Sequence, residues 1–170
     1  RRLEQHMRHL SLAAPVFAPD SALAAKISGA TFDVTGGRLS FENTIVQMMS
    51  GGKISQGIRQ FTFTFDTDAC ELRFVQDGTT ITAAIALDGT RRLNIVKMGD
   101  APVDKLCLNG YWSAPETFTV MARWVETCFE KKFDFTFAGA EVAVAEEETV
   151  GGFGIPGFLK QEPITAKRAK

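Results

Sequence analysis

The sequence predicts an all-β protein, an antiparallel up-and-down barrel of about eight strands with a short N-terminal helix. Three observations carry that prediction. The first is strict alternation between Glu116 and Phe137: Phe118, Val120, Ala122 and Trp124 share one face of one arm, and Phe133, Phe135 and Phe137 share one face of the next. A helix repeats apolar residues every three or four positions, whereas a spacing of two belongs to strands with one packed and one wet face. The second is Asp-Gly at 77–78 and again at 88–89, a dipeptide favoured in two-residue hairpin loops because both positions need positive φ. The third is the shortness of the joins. A flat sheet of so many strands would leave two long edges exposed, and closure removes them. A two-sheet sandwich is the competing arrangement, and the short joins favour the barrel.

In chain order, Leu3, Met7 and Leu10 fall on one face of a helix over Arg1 to Leu12. Pro15 and Pro19 then stop it, so residues 1–25 read as a helix and linker. Ile27 to Thr35 gives a first strand, closed by Gly36-Gly37. From Arg38 to Gly57 the signal is poor: Leu39 and Phe41 alternate briefly, 45–50 reads as a strand or a helical turn, and 50–57 as a loop. A meander follows. Phe61, Phe63 and Phe65 align over Ile58 to Phe65, then Cys70, Leu72 and Phe74, then Ile81, Ala83, Ile85 and Leu87. Arg91 to Met98 and Leu106 to Trp112 come next, before the two arms already described, which turn at Thr127 to Lys131. Glu141 to Ala145 is a short strand ended by Glu146 to Glu148, a charge run of the kind that blunts a sheet edge. Gly151 to Phe158 is a glycine-rich apolar return. The barrel domain is thus expected over 26–160, with 161–170 as a flexible tail.

The totals limit the function. At 170 residues the chain suits one domain, and 14 phenylalanines supply a core of large rings without polar handles. A net charge of -1 offers no positive field for nucleic acid. No stretch is long and apolar enough for a helical membrane span. Cys70, Cys107 and Cys128 match no zinc spacing and read as small hydrophobes, with one disulfide open to them in an exported protein. The first residue is Arg1 rather than methionine, which reads as a processed chain or an excised piece of a longer one.

Candidate chemistry is sparse. Ser50-Gly51-Gly52-Lys53 has the form S-x-x-K, and Tyr111-Trp112-Ser113 the rough form Y-x-[NS], of penicillin-recognising serine hydrolases. That chemistry needs serine and lysine one turn apart at a helix start. Two glycines oppose such a helix, and no K-T-G follows, so a flexible loop is the better account. His6 and His9 lack a third metal ligand nearby. The Gly151 to Gly157 run lacks the strand–loop–helix order of a phosphate loop. Neither a cofactor nor a metal is expected. Arg123 and Glu126 fall on opposite faces of their strand, so one of them is expected to point into the barrel, as a buried ion pair or a ligand contact. Tyr111, Trp112 and Trp124 are either core or the lining of a ligand pocket. These five residues are the candidates for ligand or interface binding.

Several stretches resemble the C-terminal region of bacterial serine hydrolases related to β-lactamases and penicillin-binding proteins. Ile27-Ser28-Gly29-Ala30-Thr31-Phe32 looks like that family's opening strand, and Gly110 to Phe118 like its Gly-x-Trp turn. Val125-Glu126-Thr127-Cys128-Phe129 is similar to a further motif, with Cys128 where proline is expected, and Phe133 to Phe137 to the strand after it. The resemblance implies a lipocalin-like barrel appended to a catalytic serine-hydrolase domain in the same or a neighbouring chain, packing on it or shaping its cleft, without a nucleophile of its own. The sequence leaves the compartment open, with a periplasmic or extracellular location favoured over a cytoplasmic one. The alternative is a free-standing lipocalin-like binder of a small apolar ligand. A stand-alone hydrolase using Ser50 and Lys53 is the third possibility.

Overall fold

Ten strands form where apolar side chains alternate with polar ones. In the computed structural model, which describes residues 21–42, 46, 51, 53–98, 103–148 and 162–170, a short helix α1 (Ala24–Ile27) precedes β1 (Thr31–Gly36). Then come β2 (Ile58–Phe65), β3 (Ala69–Gln76), β4 (Thr79–Ala86), β5 (Arg92–Ile95), β6 (Lys105–Ala114), β7 (Thr117–Trp124), β8 (Glu130–Ala138), β9 (Glu141–Glu148) and β10 (Ile164–Arg168). The sheet order is β4-β3-β2-β1-β10-β9-β8-β7-β6-β5, and a parallel contact between Ala86 of β4 and Asn109 of β6 closes it into a barrel. The expected all-β closed barrel with a short helix is the observed fold, with ten strands among the described residues in place of about eight. The expected helix over Arg1 to Leu12, with His6 and His9, lies outside the described residues, as do Ser50 and the Gly151 to Phe158 run.

The register turns the phenylalanines inward. Phe61 faces Phe74 across β2 and β3 and Phe32 across β1 and β2, while Phe118 faces Phe135 across β7 and β8. Phe63 touches Phe118 and Phe135 at centroid distances of 5.3 and 5.1 Å, edge to face, an arrangement that aromatic quadrupoles favour. At one end of the barrel α1 spans the opening. Ser28 Oγ accepts from the Phe65 amide at 2.9 Å, Ser21 Oγ donates to the Pro115 carbonyl at 2.7 Å, and Ile27 joins the core.

Four local expectations are corrected. The first strand starts at Thr31 rather than Ile27, because 24–27 closes a helical turn with Ser28 N bonded to Ala24 O at 2.9 Å. Asp77-Gly78 makes the expected hairpin, with φ of 49° and 79° at its two centres. Asp88-Gly89 does not, since β4 pairs with β3 and β6 and not with β5. The gap between β4 and β5 is bridged by a side chain: Asn94 Oδ1 accepts from Ala84 N at 2.7 Å and Nδ2 donates to Ala84 O at 2.9 Å. An amide carries a donor and an acceptor side by side, so it can imitate one rung of a ladder. The expected tail over 161–170 contains β10, which joins β1 to β9. Lastly, Glu146 to Glu148 do not blunt an edge but continue β9 opposite Phe133, Lys132 and Lys131.

Candidate functional site

Antiparallel alternation brings the end of β3, the end of β7, the start of β8 and the end of β9 to one mouth of the barrel, opposite α1. The inward parity of each strand then fixes what faces that mouth. On β8 the series Phe137, Phe135, Phe133 continues to Lys131, and on β9 the series Val142, Val144 continues to Glu146. Lys131 Nζ and Glu146 Oε1 are 2.7 Å apart, with side-chain exposures of 6 and 7 %. A buried charge survives only when paired and hydrogen-bonded, and here neighbouring strands supply opposite signs on a diagonal, Glu146 lying opposite Phe133 in the register. Gln76 ends the inward row of β3, and Trp124 that of β7. Lys131 Nζ also lies 6.0 Å from the Phe133 ring centroid.

Across this mouth runs a strap of irregular backbone, Leu39 to Glu42, between β1 and β2. All four residues are buried. Buried backbone outside a ladder must find partners elsewhere, and three consecutive carbonyls do so on three strands. Leu39 O accepts from Ile58 N at 2.7 Å, Ser40 O from Lys131 Nζ at 3.3 Å, and Phe41 O from Trp124 Nε1 at 2.9 Å. The Phe41 ring packs between Phe74 and Phe133, at centroid distances of 5.4 and 5.0 Å. Arg38 Nε donates to Ser55 O at 2.9 Å, and its Nη2 lies 3.4 Å from Glu42 Oε2. Gly57 lets the chain return to β2: it sits at φ 91°, and a Cβ there would stand 2.8 Å from Leu39 O. An eight-stranded barrel is just filled by its own side chains and diameter grows with strand number, so ten strands leave surplus width that Leu39 and Phe41 occupy.

The electrostatics of the strap follow from burial. Desolvation pushes the Glu42 carboxyl above the usual carboxylate range, and Asp77 adds to the rise, while Arg38, the Ser55 backbone and Lys131 oppose it. Among the described residues Glu42 Oε1 and Gln76 Oε1 accept no hydrogen bond. Glu148 is raised in the same way by burial, against Lys131 and with Glu146. A carboxyl whose folded pKa exceeds its unfolded value stabilises the fold most in acid, and that contribution is lost as pH climbs through the folded value. Glu42→Gln removes the titration. The stability difference between wild type and Glu42→Gln is therefore expected to move against wild type as pH rises from about 4.5, in urea melts run at stepped pH. A difference that is flat in pH would show a solvated Glu42, and one that moves towards wild type would show a carboxylate held by Arg38, and either overturns the buried reading.

The sequence candidates divide between the two faces. Trp112 and Trp124 point inward. Trp112 packs on Phe65, Phe118 and Phe137 toward the α1 end, and only Trp124 belongs to the strapped mouth. Tyr111 alternates with the inward Gly110 and Trp112 and lies on the outer face. Arg123, expected with Glu126 to contribute an inward charge, is exposed opposite Glu130, and Glu126 pairs with Lys105 at 3.0 Å outside the barrel. Their strand parity is set by Ala122 and Trp124, which are buried. The charges that strand parity turns inward, among the described residues, are instead Lys131 and Glu146, which the alternation marks if it is followed past the last phenylalanine and the last valine. Lys53 is exposed in a loop, Cys70 is buried with its thiol pushed up to about 12 by desolvation, and Cys128 is exposed; all three cysteines are free. A solvent-open depression of about 450 Å³ lies over β1 and β2, lined by Asp33, Gln56, Arg59 and Gln60 among others.

No family model matches the chain, and no curated protein does. Solved structures do match in fold. A fatty acid-binding protein of Schistosoma mansoni, in complex with arachidonic acid, superposes with a TM-score of 0.56 at 9 % identity, over 86 % of this chain and 98 % of its own. The fatty acid-binding protein of Manduca sexta gives 0.52 at 9 % identity over 83 and 98 %. A structure described as the REP1-NXSQ fatty acid transporter gives 0.54 at 7 % identity over 86 and 98 %. These neighbours overturn the resemblance to β-lactamase- and penicillin-binding-protein-related serine hydrolases: in them the barrel is nearly the whole chain, with no catalytic domain beside it. The stretches that carried the resemblance, Gly110 to Phe118 and Phe133 to Phe137, are a β6–β7 hairpin and an inward phenylalanine row. Any antiparallel barrel needs such features, so they do not single out a family.

Proposed function

We propose that the chain binds a small apolar molecule inside its barrel, independently of any catalytic domain, and that the ligand enters by the mouth strapped by Leu39 to Glu42. The observation that carries this is the strap itself. The space beneath it is filled by two side chains of a non-strand segment, held by single bonds from the Ile58 amide and the Lys131 and Trp124 side chains rather than through a ladder. Ligand-sized room is therefore present in the barrel but occupied. The neighbours in fold lend support, being proteins named for fatty acid binding or transport. Elsewhere the interior is ring on ring, with Phe63 against Phe61, Phe65, Phe118 and Phe135, so the strapped mouth is where a ligand fits with least rearrangement.

The test is equilibrium titration of the native protein with a fluorescent polyene fatty acid and, separately, with its methyl ester. Saturable one-to-one binding of either, competed by an unlabelled apolar analogue, is expected. Absence of saturable binding by both overturns the proposal.

A further inference from the structure

The strap's own contacts describe what must replace it. Lifted away, it leaves an apolar hollow between Phe74 and Phe133 and three buried donors, Ile58 N, Lys131 Nζ and Trp124 Nε1, without their acceptors Leu39 O, Ser40 O and Phe41 O. Buried donors left without acceptors are costly, so an incoming molecule must carry acceptors as well as apolar bulk. Charge decides which kind. The Lys131 ammonium is already neutralised by Glu146 at 2.7 Å, Glu148 is nearby on β9, Glu42 and Arg38 form their own pair on the strap, and Asp77 faces Glu42 from the β3–β4 turn. A carboxylate head would add another acid beside Lys131, whose charge Glu146 already balances. A neutral carbonyl reproduces what Ser40 and Phe41 now offer.

Resting on the binding reading above, we infer that the mouth selects an apolar molecule ending in a neutral carbonyl (ester, amide or ketone) and that Leu39 to Glu42 is a built-in competitor which this ligand displaces. The strap mimics the ligand: the Phe41 ring and Leu39 stand for its body, and the two carbonyls for its head. The apparent affinity is then the intrinsic affinity reduced by the fraction of molecules whose strap is open.

Three measurements test this. The methyl ester of the polyene probe is expected to bind about tenfold more tightly than the free acid near neutral pH, where the acid is ionised; equal or tighter binding of the acid overturns the head-group assignment. Leu39 is buried, so trypsin should cleave after Arg38 slowly in the free protein. Saturating ester is expected to speed appearance of the fragment ending at Arg38 about tenfold, read by mass spectrometry, in proportion to the open population. An unchanged or slower cleavage with ester bound overturns displacement. Phe41→Ala, a weaker competitor, is expected to bind the ester about tenfold more tightly than wild type, and the proteolysis of wild type decides the matter should that variant fail to fold. Binding of either probe without these signs leaves the broader proposal standing and overturns this one, whereas no binding overturns both.

Discussion

Lys131→Met is expected to cost about 3–5 kcal/mol, the range for breaking a buried ion pair by removing one partner. The substitution takes the Lys131 ammonium from Glu146, which stays in the barrel at 7 % side-chain exposure, and takes the donor from Ser40 O. Methionine fills the space of the lysine stem, so the loss is electrostatic rather than a cavity effect. For a chain of this size it should lower the urea midpoint by roughly 2 M. The double variant Lys131→Met/Glu146→Leu is expected to recover most of the loss, because an apolar pair of similar volume often equals or exceeds a buried ion pair. Lys167, paired with Glu141 at 2.9 Å but more than half exposed on both sides, provides the contrast: Lys167→Met should cost at most about 1 kcal/mol. A Lys131→Met loss no larger than the Lys167→Met loss would mean that the ammonium reaches water, and the reading of this mouth as a desolvated site would go with it.

How far the sequence reaches is clearest at this mouth. The strands were legible wherever phenylalanine alternated with threonine or charge, as in Ile58–Phe65 and Glu130–Ala138, because burial of one face leaves a period of two that no helix can imitate. The same rule, carried two residues beyond Phe133 and beyond Val144, picks out Lys131 and Glu146. Charged residues at strand ends ordinarily mark the solvated rim, so Glu146 to Glu148 read as an edge. Ile164–Arg168 was illegible for a different reason: Ile164 and Ala166 are the inward residues, and one isoleucine and one alanine give too little contrast against Thr165 and Lys167. The strap was beyond pattern reading altogether. Leu39 and Phe41 alternate, but their burial comes from carbonyls bonded to Trp124 and Lys131, at sequence separations of 83 and 91. The serine-hydrolase resemblance fails through the opposite fault, since motifs that satisfy any hairpin do not mark one lineage.

Phe63→Ala should be among the most damaging substitutions in the chain, costing about 3–5 kcal/mol. Phe63 is fully buried on β2, and its ring meets Phe61 at 5.6 Å, Phe65 at 6.0 Å, Phe118 at 5.3 Å and Phe135 at 5.1 Å. Three of those contacts are edge-to-face, and each such pair contributes about 0.5–1.5 kcal/mol beyond the area it buries. The surrounding rings belong to β2, β7 and β8, held in register by their ladders, so they cannot collapse into the space and the cavity term stays large. Calorimetry should show a melting temperature lower by roughly 10 °C, at the few degrees per kcal/mol usual for this length. Phe63→Leu keeps most of the volume and should cost less than half as much. The comparison with Phe41→Ala separates the two kinds of interior. Phe41 lies on irregular backbone held by side-chain donors, so that segment can shift toward the vacated space and its loss should be the smaller. Equal losses at the two positions would mean that the strap is as rigid as the strands, and a rigid strap cannot yield to a ligand.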